Sequence, residues 1–134
     1  MLCFGTLVAT GCSQLSSVAG PCDRSDDANP PVKYTDGAAK NGVYMSSEWN
    51  KDLLYFPGGM HYDLEHHLGA TPRWWQAYVS FDQNGVAEGS VAQASGNEVE
   101  LVGMDEHVLR IRNGTCVTFW LLVAAGTTGS PGGS

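Results

Sequence analysis

Between residues 42 and 125 apolar and polar positions alternate in short runs, separated by Gly, Pro, Asn and Asp. A period of two marks a strand with one buried face, because successive side chains point to opposite sides. "MHYDLEH" (60–66) sets Met60, Tyr62 and Leu64 against His61, Asp63 and Glu65. "RWWQAYVSF" (73–81) sets Trp75, Ala77, Val79 and Phe81 against Trp74, Gln76, Tyr78 and Ser80, and "HVLRIR" (107–112) sets Leu109 and Ile111 against Arg110 and Arg112. Shorter runs at 42–47, 52–56, 86–94 and 98–104 carry β-prone residues. "TCVTFWLLVAA" (115–125) is apolar on both faces, which predicts a strand in the middle of a sheet with Trp120 in the core. Asp82-Gln83-Asn84-Gly85 and Asn113-Gly114 predict hairpin turns, and Pro57-Gly58-Gly59 ends a strand.

Seven or eight short strands joined by turn residues, with no helical period, predict an all-β fold. The expected architecture is a single antiparallel β-sandwich of jelly-roll or immunoglobulin-like type over residues 30–125. Residues 13–29 are rich in Ser, Asp, Asn and Pro and read as a flexible tether, followed by a short extended piece at 31–35. The end "GTTGSPGGS" (126–134) reads as a flexible tail.

Charge narrows the partners. The 134 residues carry a formal charge of −7, and only Arg110 and Arg112 form a close basic pair. Such a chain lacks the basic surface that neutralises a phosphate backbone, so nucleic acid is excluded as a partner.

The N-terminal stretch "MLCFGTLVATGC" (1–12) is apolar or small throughout, carries no charge and is too short to span a bilayer. It matches the end of a secretory signal. "ATGC" (9–12) resembles the lipobox of bacterial lipoproteins, with Ala9 standing where that family usually has Leu. The resemblance implies export, a lipid on Cys12 that holds the chain to a membrane, and residence at the outer membrane, periplasm or cell surface. Secretion with cleavage after "SVA" (17–19) is the second reading and places the protein outside the cell. With Cys3 removed and Cys12 lipidated, Cys22 and Cys116 remain, and two thiols in an exported chain pair.

The chemistry concentrates at "GGMHYDLEHHLGATPRWW" (58–75). His61 and Asp63 share a strand face, and with a distant His107 they match the two-histidine, one-carboxylate ligand pattern of a divalent metal site. "PGG-x-H" (57–61) also resembles the first motif of the cupins, although the chain has His61-Tyr62-Asp63 where cupins have His-x-His. That resemblance implies a metal-dependent enzyme. "HHLGATPRWWQAYVSF" (66–81) resembles a turn-and-strand motif of bacteriophage tail-fibre and appendage β-domains, which implies a tight turn between sandwich strands, with Gly69 at positive φ and Pro72 preceding the strand. Nucleophile elbows and phosphate-binding glycine loops are absent.

These readings converge on an exported, lipid-anchored β-sandwich that binds a glycan or a protein, or assembles with copies of itself, and needs no cofactor. Trp74, Gln76 and Tyr78, with His61 and His67, are the expected recognition residues. The rival from another class is a metal enzyme using His61, Asp63 and His107, and a third reading is a subunit of an extracellular filament or phage-like appendage.

Overall fold

The computed structural model describes residues 22–86 and 91–129. The lipobox-like segment, Cys12 and the residues up to 21 lie outside the described residues, as do 130–134.

Ten strands follow one another: β1 (Val32–Tyr34), β2 (Ala38–Lys40), β3 (Val43–Met45), β4 (Leu54–Phe56), β5 (His61–Glu65), β6 (Trp74–Ser80), β7 (Val91–Gln93), β8 (Glu100–Met104), β9 (Val108–Arg112) and β10 (Phe119–Gly126). Among the described residues one 3-10 turn, Gly96–Glu98, leads into β8. They form two sheets, one ordered β1-β5-β9-β8 and the other β2-β3-β10-β6-β7, with β4 also paired to β10. The expected β-sandwich is therefore present, with more strands than the pattern suggested. β1 is the extended piece at 31–35, while β2 comes from "AAK", which has no alternation to announce it. β1 runs parallel to β5, and the other pairings are antiparallel.

The period of two locates the core. Tyr62 and Leu64 of β5 and Leu109 and Ile111 of β9 pack against Ala77 and Val79 of β6 and Leu121, Val123 and Ala125 of β10, with Tyr44 and Phe56 closing the layer. β10 lies between β6 on one edge and β3 and β4 on the other, which explains its apolar character on both faces. Trp120, expected in the core, is instead on the outer face. Odd-numbered residues of β10 point inward, so Trp120 and Leu122 point outward, Trp120 half-buried and Leu122 fully covered.

Asn113-Gly114 does not make a hairpin. β9 and β10 belong to different sheets, and these two residues begin the crossing between them. The type I′ hairpin needs positive φ at both central residues, and neither has it. Asn113 is instead wholly buried, where Nδ2 donates to the carbonyls of Phe56 (3.0 Å) and Val117 (2.8 Å). The turn at 82–85 does lie in the β6–β7 hairpin: Gly85, at φ +66°, donates its N–H to the Asp82 carbonyl, and Val86 N–H reaches the Asp82 carboxylate.

The described parts of the two segments read as flexible, 22–29 and 126–129, carry hydrogen bonds to the sandwich. Cys22 is bridged to Cys116, as the cysteine count predicted. Behind it Arg24 donates to the Gly114 carbonyl at 2.7 Å, and the Asn29 amide donates to the carbonyls of Asp23 and Ser25. At the other end Gly126 closes β10, and Thr127 N–H donates to the Gly42 carbonyl.

Candidate functional site

The sandwich has two outer faces of opposite character. On the four-stranded sheet the outward residues of β5 and β9 are His61, Asp63, Glu65, Val108, Arg110 and Arg112, facing one another as His61–Arg112, Asp63–Arg110 and Glu65–Val108. Each charge there meets an opposite one. Lys33 lies 3.5 Å from Glu65, Arg110 lies 2.9 Å from Asp105 and 3.8 Å from Asp63, and Arg112 lies 2.6 Å from Glu100 and 3.4 Å from Asp26. In the turn before β9, the backbone N–H groups of His107 and Val108, with the Arg110 guanidinium, hold the Asp105 carboxyl well below the usual carboxylate range.

The four histidines are dispersed across this half of the molecule. His61 is buried; its Nδ1–H donates to the Asn29 carbonyl at 2.8 Å, while Nε2 faces the Asp26 carboxylate at 3.4 Å. His66 is wholly buried between two backbone groups. Its Nε2–H donates to the Asp105 carbonyl (2.9 Å), and Nδ1 accepts from Leu68 N–H (3.2 Å), which fixes one tautomer and occupies both nitrogens. His67 is exposed, at φ +55°, and reaches the Thr35 carbonyl at 3.3 Å. His107 is exposed beside Glu106.

His61 and His107 do not meet. His61 pairs with Arg112 at one end of the β5–β9 ladder, whereas the His107 carbonyl accepts from His66 N–H beyond the other end. Five residue steps of strand separate them, about 16 Å, whereas ligands sharing an ion lie within roughly 5 Å of one another. Asp63 faces Arg110. The expected ligand set of His61, Asp63 and His107 is thus not assembled, and among the described residues no group of three His, Cys, Asp or Glu could hold a metal ion. An i, i+2 spacing on a strand gives a shared face but says nothing about a third residue from a neighbouring turn. The segment after β5 does form the tight crossing from one sheet to the other, with Gly69 at φ +77°.

The outer face of the six-stranded sheet is built from aromatic and small residues. Pairing registers lay it out in rows: Lys40, Val43, Gly126 and Trp74; then Ala38, Met45, Ala124 and Gln76; then Leu122, Tyr78 and Gln93; then Tyr55, Trp120, Ser80 and Val91. Trp49, from the β3–β4 loop, packs edge-on against Tyr78 with ring centroids 5.0 Å apart, and Tyr55 lies 5.4 Å from Trp120. Trp49 is 41% exposed and Tyr55 52%. Beside them a groove of about 560 Å³ runs over Ala38, Val43 and Met45, bounded by Asp36 and Lys40 on one side and Ser47, Glu48 and Lys51 on the other. Two acids and two lysines leave its rim without net charge, and Glu48 and Lys51 pair at 3.2 Å. The buried Ser47 hydroxyl at this groove has no hydrogen-bond partner among the described residues.

Trp74 has a particular posture. Its partner across β10 is Gly126, and a Cβ placed there would fall 2.5–2.6 Å from Cε2, Cζ2 and Nε1 of the indole. Three ring atoms at nearly equal distance put the glycine on one face of the indole rather than in its plane. Its N–H is tied to the Thr128 carbonyl at 2.9 Å.

Trp74, Gln76 and Tyr78 therefore share an outer face, as parity predicted, while His61 and His67 do not join them. Sequence reasoning missed Ala38, Lys40 and Tyr55 as members of this surface and assigned Trp120 to the core. Strand parity held the signal for Trp120, but nothing local marks β2. Comparison with protein-family models, curated proteins and solved structures finds no match to this chain.

Proposed function

We propose that this chain is an exported, lipid-anchored binding module whose recognition surface is the outer face of the six-stranded sheet. One observation carries the reading, the contrast between the two faces. The four-stranded sheet presents charges already satisfied by one another, so a partner would have to break ion pairs to bind there. The six-stranded sheet presents half-exposed aromatics, a small-residue floor and a groove, the composition of a binding surface. The Cys22–Cys116 bridge fits an oxidising compartment. Anchoring rests on the lipobox-like "ATGC".

The test uses the full chain and isolated cell envelopes of the organism that makes it. Labelled protein is retained saturably and is displaced by unlabelled protein. Gln76→Arg, which puts a large charge on the recognition face, lowers retention at least tenfold, while Asp63→Ala on the opposite face leaves it unchanged. Equal retention of both variants overturns the assignment of the face. Mass spectrometry of membrane-purified protein with an unmodified Cys12 overturns the anchor.

A second reading has its own support. β8 is an edge strand that exposes Leu101 and Val102, as self-assembling sheets do. A mass that rises with concentration in light scattering, abolished by Val102→Lys, would favour assembly.

A further inference from the structure

The geometry points to a neutral oligosaccharide as the ligand of this face, an inference that rests on the binding reading above. Trp74 is central to it. A tryptophan that anchors a protein partner usually projects into a pocket on that partner. Trp74 does the reverse: one ring face is turned to Gly126, and its N–H is engaged by Thr128. What it can offer a ligand is a flat π surface. Such a surface attracts polarised C–H groups through the negative potential over the ring, and the C–H face of a pyranose fits that requirement. The posture is fixed before binding, so little side-chain entropy is lost when the sugar arrives.

The surroundings supply the other half of sugar recognition. Gln76 lies next along the same face of β6 and sets an amide beside the platform, while Lys40 stands at the far end of the Trp74 row, three strands away. The groove beyond β3 adds Asp36, Glu48 and Lys51. Because the two acids and two lysines balance, the groove favours a neutral ligand over a uronic-acid polymer or a polycation. The rows from Gly126 to Trp120 span six residue steps, about 20 Å, longer than one sugar ring, with Leu122 between them covered and Trp49 packed on Tyr78. Trp120 and Tyr55 close the far end with a second aromatic pair. An oligomer fits that length better than a monosaccharide.

The experiment is a calorimetric and tryptophan-fluorescence titration of the full chain with maltohexaose, cellohexaose, chitohexaose, mannohexaose and, as a charged probe, hexagalacturonate. Saturable binding of at least one neutral hexamer is expected, weakened at least tenfold by Trp74→Ala. Gly126→Ala retains the indole but displaces it from its seat, and it is expected to weaken binding similarly; thermal melts of both variants establish that they fold. Asp63→Ala binds as the parent chain does. No binding of any neutral hexamer up to millimolar concentration, binding of hexagalacturonate alone, or binding indifferent to both substitutions in folded protein overturns the inference. Envelope retention that persists and stays sensitive to Gln76→Arg, with no sugar bound, sinks the oligosaccharide and leaves the binding face. Loss of both sinks the two together.

Discussion

Asn113 joins two crossings between the sheets with one side chain. Nδ2 donates to Phe56 and Val117, and Oδ1 accepts from the Thr115 amide (2.9 Å) and hydroxyl (2.6 Å). All four bonds form around a wholly buried residue. Removing the amide strands the Phe56 and Val117 carbonyls, and an unsatisfied buried polar group costs more than a hydrogen bond ordinarily contributes. Asn113→Ala is expected to destabilise the fold by about 3 kcal/mol, read as a lowered urea midpoint with an unchanged slope. A loss below about 1 kcal/mol would mean water replaces the side chain. The sequence shows Asn-Gly as a turn pair; only the neighbouring sheet decides that the turn is a crossing and that Asn113 faces inward. The adjacent Gly114 is needed for space, because a Cβ there would fall 2.5 Å from the Glu100 carboxylate and 2.9 Å from the Asn97 carbonyl.

At the scale of elements, the β8–β9 hairpin is organised by one carboxylate. Asp105 Oδ1 accepts from the N–H groups of His107 and Val108, Oδ2 accepts from Arg110, and its backbone carbonyl accepts from His66. These donors favour the charged form, so folding depresses the Asp105 pKa. The folded chain then binds fewer protons at this site than the unfolded chain. The stabilisation is fully present above the unfolded value, about 4 for Asp, and is lost as pH falls through that value towards the folded one. Urea midpoints measured from pH 6 down to pH 2 should therefore fall, and Asp105→Asn should flatten that fall. A weaker slope should remain from Asp23, whose carboxyl is held low by the Ser25 hydroxyl and amide. An unchanged pH profile in Asp105→Asn would show that the turn does not depend on the charge. The strands β5, β6 and β9 and their inward faces were legible because parity survives wherever one face of a strand is buried. β2 was not, because "AAK" at a sheet edge is exposed on every residue and has no period to show.

Across the whole molecule, the Cys22–Cys116 bridge joins residues 94 apart and fixes the N-terminal segment to the loop before β10. The chain-entropy account assigns a loop of this length about 4–5 kcal/mol. Reduction should lower the urea midpoint accordingly, and hydrogen exchange should then show residues 23–29 opening first, because Asp26 and Asn29 reach His61 from that segment. If reduction leaves both unchanged, the ion pairs and hydrogen bonds of the segment suffice without the bridge. On the outer face of β5 and β9, Asp63 falls opposite Arg110, and Glu65 and Arg112 find Lys33 and Glu100 on the flanking strands, while on β6 and β10 Trp74 falls opposite Gly126, Gln76 opposite Ala124, Tyr78 opposite Leu122 and Ser80 opposite Trp120.

The sequence by itself determined the fold class, the inward faces of the central strands, the cysteine pair and the shared face of Trp74, Gln76 and Tyr78. All of these follow from local periods, spacings or counts, which the chain carries in one dimension. The tertiary structure decided which distant residues meet. It dispersed the histidines, because His61 and His107 lie at opposite ends of one strand pairing. It turned Asn113-Gly114 from a hairpin into a crossing and moved Trp120 outward. It also turned one face of the Trp74 ring to Gly126, fifty-two positions away, a contact set by the register of β6 on β10 and invisible to any window of sequence.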